Sequence, residues 1–313
     1  MLAYVVRRLL ATLPVIVMVA VVVFAMLRLT PGDPAAIIAG NDATAEQLQQ
    51  IRQSMGLDKP IYQQLIQWIA QLLQGDLGVS LLSGTPVLGM IGDRMGPSLV
   101  LAISTITLTV IIAIPLGVTA AWRQGRLLDR AIMTLSVFGF SVPTFVIGYL
   151  LVYLFSIQMG WLPVQGYRPL SDGFGPFAER LILPVLALST VYIALIARIT
   201  RSSIIEVMGE DFIRTARAKG ANEHVVLMRH ALRNAAVPIL TIIGIGMASL
   251  ISGVVVTESV FNLPGLGRLV VEAVLARDYP VIQGLILLFS FIYIMINLAV
   301  DLLYPVFDPR IRY

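Results

Sequence analysis

Apolar residues in this chain come in long unbroken runs separated by short polar stretches. That pattern predicts helices buried on every side, not amphipathic surface helices or alternating strands. The first run, Leu9 to Leu27, has 19 residues and no charge, and it follows Arg7 and Arg8. At about 1.5 Å per residue it makes a helix roughly 28 Å long, close to the hydrocarbon thickness of a bilayer. A cleaved secretory signal has a shorter apolar part and a small-residue cleavage site. This run ends instead in Arg28 and the turn-forming stretch Thr30 to Pro34, so it is expected to remain as a first span. Further runs lie at Ser98 to Ala121, within Ala131 to Met159, and at Leu181 to Ala197, Ala235 to Thr257 and Val281 to Val300. Pro115 is expected to kink the second run, and Ser141-Val142-Pro143 to interrupt the third. The fold expected is an all-α membrane protein with six transmembrane helices and cytoplasmic N- and C-termini.

The polar stretches differ in kind. Residues 35 to 97 are Gln-rich and carry few basic residues, with expected short helices at Ala43 to Met55 and Pro60 to Leu73 and a Gly-rich segment after them. Nothing there is long enough to cross, so an extracytoplasmic helical loop ending at Pro97 is expected between spans one and two. The other long polar stretch, Arg201 to Pro238, is charged. Seven of the 22 Lys and Arg residues lie between Arg198 and Arg233. Its first half places Ile205, Met208, Phe212 and Ala216 on one helical stripe; Gly220 is expected to end that helix, and Asn222 to cap a second one carrying Val225, Met228 and Leu232. A basic anchor on anionic lipid would explain the charge. It would not explain two glycine-hinged helices with apolar stripes, which suit docking to a partner protein.

Composition sharpens this picture. Of 313 residues, 58% are hydrophobic and 13% charged, with a mean hydropathy of +0.87; soluble domains carry roughly 25% charged residues. The net charge of +4 then reads as topology: short basic loops favour the cytoplasmic side, and no nucleic-acid partner is expected. Cysteine is absent, and the two histidines, His224 and His230, stand without an acidic cluster nearby, so no metal site is expected.

The chain also lacks recognisable catalytic chemistry. It has no GxxxxGK[ST] phosphate loop, no HExxH, no GxSxG and no paired carboxylate inside a run. No catalytic, cofactor or metal residue is expected. Solute carriers coupled to ions place charge at mid-membrane depth, and the centres of all six runs are uncharged. Energy is therefore expected to arrive from outside the chain, through the charged loop. Candidates for a translocation path are Ser141, Pro143 and Thr144, where a packing kink is the alternative; Ser249, whose spacing to Gly253 equally suits close helix contact; and Glu258, where an interfacial carboxylate paired with Arg268 is the alternative. An ion-coupled secondary transporter and a non-transporting membrane scaffold remain the competing function classes.

The stretch TARAKGANEHVVLMRHALRNAAVP, Thr215 to Pro238, resembles the EAA loop of permease subunits of bacterial ABC importers. More narrowly, the chain resembles the first permease of the pair in the dipeptide/oligopeptide/nickel class. MLAYVVRRLL at the start, LRLTPGDPA, MGLDKP, GDLGVS, the SVP of run three, WLP at Trp161, TESVFNLPGLGRL, RDYPVIQG and the closing DPRIRY carry that likeness along nearly the whole chain. It departs from the general motif at Arg214-Thr215-Ala216, where Glu-Ala-Ala is usual, and at His230-Ala231-Leu232-Arg233, where Ile-x-Leu-Pro is usual. The resemblance implies a division of labour. A first helix and extracytoplasmic region (1–96) precede a five-helix permease core (97–313) with a coupling loop at about 200–236. Partners would be a second homologous permease, two cytoplasmic ATPase subunits holding ATP and Mg, an extracytoplasmic binding protein that brings peptide or a related solute, and the lipid of the inner membrane. Coupling would fall to Arg214, Thr215, Ala216, Arg217, Ala218, Lys219, Gly220, Ala221, Asn222, Glu223, His224, Val225 and Met228.

Overall fold

The structure is a computed structural model that describes residues 2–29, 35, 44–54 and 56–307. Among them every extended regular element is a helix: α1 (Leu2–Leu29), α2 (Ala45–Ser54), α3 (Ile61–Leu73), α4 (Val87–Trp122), α5 (Leu127–Ser141), α6 (Thr144–Leu151, continued by a π-helical Val152–Gln158), α7 (Phe174–Met208), α8 (Asp211–Ala218), α9 (Glu223–Val225), α10 (Leu232–Asn234), α11 (Ala236–Val260), α12 (Leu266–Leu275) and α13 (Tyr279–Phe307). Four stretches are long and apolar enough to cross a membrane, and two bent helix pairs would bring the number to six. The turn at Thr30 to Pro34, Ala43, Met55 and the closing DPRIRY lie outside the described residues.

Two compact units emerge. The first joins Met1–Met95 to Leu269–Ile294; the sequence division at 96/97 had not assigned the later segment to it. Here Phe24 of α1 meets Trp68 of α3 with ring centroids 5.6 Å apart, and Gln283 donates to the Val23 carbonyl at 3.1 Å. Val87 and Ile91, one turn apart, are buried. Gly284 leaves room for them: a Cβ there would lie 2.7 Å from Val87 Cγ1. This packing extends the helix on the N-terminal side of Pro97, which the sequence expectation placed at the end of the polar region and which instead sits inside α4. One missing backbone donor is outweighed by two buried aliphatic side chains, worth about 1.5–3 kcal/mol each. Nearby, Ser80 donates to Asp278 Oδ2 at 2.5 Å and the Leu81 amide to Oδ1 at 3.2 Å.

The second unit holds Gly96–Arg268 and Met295–Tyr313. Leu101, Leu183, Leu188, Leu250, Phe261 and Leu263 form its centre. Gly117 lets α4 approach α7 closely, since a Cβ there would lie 2.6 Å from Thr200 Cβ and 2.7 Å from the Ala197 carbonyl oxygen. α7 overruns the apolar run that predicted it at both ends, so Arg198 and Arg201 stand on the helix itself. The interruption in run three is sharper than a kink. α5 and the α6 stretch differ in direction by 100°, because Val142 is extended (φ −86°, ψ 126°) ahead of Pro143. The Ser141 hydroxyl bonds back one turn inside the helix, donating to the Val137 carbonyl at 2.7 Å.

Candidate functional site

The charged loop between α7 and α11 is built from local turn chemistry. α7 stops at Met208, where the Gly209 amide turns back to the Glu206 carbonyl at 3.1 Å. α8 then ends in a Schellman motif: the Ala221 amide reaches the Ala216 carbonyl at 3.1 Å and the Gly220 amide the Arg217 carbonyl at 2.9 Å. The motif needs a left-handed residue, and Gly220 supplies it with φ +83°. Two residues on, the Asn222 side chain accepts the His224 amide at 3.0 Å and caps α9. The hinge and the cap thus sit where the sequence placed them.

Burial in the loop differs from expectation. The stripe expected through Ile205, Met208, Phe212 and Ala216 does not continue through one helix. The break at Gly209 resets the helical phase, so Ile213 is 0% exposed and Phe212 42%. Ile213 joins Val226, Leu227, Ala231 and Ala235 in a cluster with Val118 of α4, Ile204 of α7 and Ile239 of α11. The π-helical turn Val226–Ala231 brings adjacent Val226 and Leu227 inward together. Each such side chain contributes about 1.5–3 kcal/mol, against about 0–1 kcal/mol for an exposed ion pair, so the cluster holds the loop. Beyond Phe212, two apolar residues of the second half stay out: Val225 is 40% exposed and Met228 44%.

Charges line the outside. Arg214 bonds Asp211 at 3.1 Å. Arg217 grips Glu223 through two bonds of 2.7 and 3.2 Å, bridging the Gly220 turn. The Arg217 guanidinium, hydrogen-bonded to Glu223, holds that carboxyl below its ordinary range. Thr215, Ala218, Lys219 and His224 are exposed. No cluster of three or more metal-ligating side chains occurs among the described residues.

The remaining candidates do not gather at one point. Ser141, Pro143 and Ser249 are exposed and Thr144 half-buried. Glu258 is 0% exposed and so offers a solute no surface. Ser98 donates its hydroxyl to Glu258 Oε1, the Arg268 amide reaches Oε2 at 3.0 Å, and the Leu266 amide closes on Ser98 at 2.7 Å. Gly265 and Gly267 fold directly over the carboxylate, where a Cβ would collide with it or with the Val255 backbone. Sequence reasoning missed Ser98, and it missed a second buried carboxylate, Asp129, which binds Arg201. The available signal was that Asp129 is the lone acid among the arginines of 123–130.

The described residues form helices long and apolar enough to cross a membrane, with a folded polar loop between two of them. Comparison gives the family. Residues 113–313 match the binding-protein-dependent transport system inner membrane component, and residues 1–102 its N-terminal part. The chain belongs to this family of inner-membrane permease subunits of ABC importers. It is 52% identical over 310 residues to the probable peptide ABC transporter permease protein y4tP of Sinorhizobium fredii, covering 99% of each chain. With the glutathione transport system permease protein GsiC of Escherichia coli K12 it shares 45% identity over the full length of both. A solved inward-facing MetNI methionine ABC transporter matches with a TM-score of 0.58 at 15% identity, over 71% of this chain and 97% of that one. That likeness is one of fold.

Proposed function

We propose that this permease carries peptides, di- or oligopeptides or a relative such as glutathione, through a path formed with a second homologous permease. Both termini are cytoplasmic, six spans cross the membrane, and residues 35–97 face outward. Two ATPase subunits bind and hydrolyse ATP with Mg and grip the loop of residues 209–235, and an extracytoplasmic binding protein delivers the solute. The permease itself catalyses nothing. Ser141, Pro143, Thr144 and Ser249 are the path candidates that keep accessible or half-accessible surface. The names of the relatives above support the solute class.

One observation carries the coupling role. The loop buries Ile213, Val226 and Leu227 yet leaves Val225 and Met228 outside. An apolar pair held out by a rigid, capped turn is suited to a partner's groove. In the full complex, Val225→Asp should leave membrane abundance unchanged and abolish co-purification of the ATPases or their stimulation, because it sends a carboxylate into an apolar contact. Wild-type assembly and stimulation would make the loop a lipid anchor. Topology is tested separately: Gln49→Cys in this cysteine-free chain should react with an impermeant thiol reagent in intact spheroplasts, and labelling only after lysis would invert the orientation.

A further inference from the structure

The cluster that holds the loop draws on α4, α7 and α11; no residue of α5 belongs to it among the described residues. Yet α5 leads directly into the 100° break at Val142-Pro143. Beside the loop, α5 is tied to α7 by a charged joint. Arg201 Nε bonds Asp129 Oδ1 at 2.5 Å and its NH2 group bonds Oδ2 at 2.7 Å, a planar two-point grip. The Gly125 amide adds a third bond, to Oδ2, at 2.9 Å. The Asp129 side chain is 4% exposed and that of Arg201 25%, so water competes weakly for either partner. Arg201 follows Thr200, which is pressed on Gly117 of α4, and stands one turn before Ile204, which is fixed in the loop cluster. A displacement of the loop therefore moves this end of α7 through Ile204.

We propose that the Arg201–Asp129 pair is the joint that passes this displacement to α5 and on to the broken third span. The two are positioning residues: neither needs to touch solute or nucleotide. A bidentate pair resists both sliding and rotation, which a single aliphatic contact does not. Asp129→Asn would keep the shape and the Gly125 bond but remove the charge. The motion would then be left to the apolar packing of the two helices, where Gly139 of α5 lies against Thr190 and Ala194 of α7, so α5 would follow α7 less fully. The inference rests on the coupling-loop reading above.

Single cysteines allow the test, since the chain has none of its own. Spin labels at Leu135→Cys on α5 and Arg198→Cys on α7, both exposed, are read in the reconstituted complex with and without ATP plus vanadate. In the otherwise native chain both labels should respond. With Asp129→Asn the α7 label should still respond, and the α5 response should fall well below the native one. Arg201→Lys, which keeps the charge but loses the fork, should give a partial loss and serves alone if Asp129→Asn fails to assemble. Equal responses of both labels in the variants would overturn the joint. Silence of both labels in the native background would instead overturn the coupling-loop reading.

Discussion

The loop at 209–235 and the loop at 258–268 are made of similar materials. Each joins apolar helices, each turns on glycine, and each carries a glutamate beside an arginine. They spend these residues differently. In the second, Glu258 is enclosed, with its oxygens on Ser98 and the Arg268 amide, and glycines fold over it without a gap. In the first, Glu223 stays at the surface, paired to Arg217, and Val225 and Met228 project outward. A loop that satisfies all its polar groups internally and hides its apolar ones is a fastening. A loop anchored on the neighbouring helices, with apolar groups left over, is shaped for something outside itself. Sequence likeness marks both stretches equally; burial separates them.

The strongest way to break this contrast is to open the closed loop. Glu258→Ala removes the acceptor for a part-buried hydroxyl and a part-buried amide, each costing at most about 1–3 kcal/mol when left unpaired. The variant should melt well below the native protein in detergent, and Glu258→Gln should fall between them. A Glu258→Ala protein that melts with the native one would show that this loop is not a fastening.

Gly220→Val attacks the open loop at its one left-handed position. The strain is about 1–2 kcal/mol, with no steric clash to add to it, because nothing lies within 4 Å of a Cβ there. Membrane insertion should persist, while ATPase stimulation in the assembled complex drops sharply. Native coupling with a lowered melting point would assign Gly220 to stability alone.

The smallest effect belongs to the Arg217–Glu223 pair. Both side chains are 40% or more exposed, so Glu223→Gln should cost about 0.5 kcal/mol or less. Its sign follows from the lowered carboxyl: the contribution is present above the unfolded value of about 4.3 and fades as pH falls through the folded one. Melting curves of native protein and variant should differ slightly at neutral pH and merge in acid. A gap that widens in acid would contradict the pairing.

The amino-acid sequence alone determined where helix forms along the apolar runs and how the loop turns, at Gly220 and Asn222, because helix length, left-handed backbone and capping are decided within a few residues. It also carried the family likeness, residue by residue. The tertiary structure decided the rest. It chose Ile213 over Phe212 for the core, since the phase of α8 depends on a break and on a cluster assembled from α4, α7 and α11. It carried α4 through Pro97 by packing Val87 and Ile91 where Gly284 leaves room. And it enclosed Asp129 and Glu258 by bringing them Arg201 and Ser98, partners 72 and 160 residues away, because the cost of burying a charge is met only by neighbours that the fold supplies.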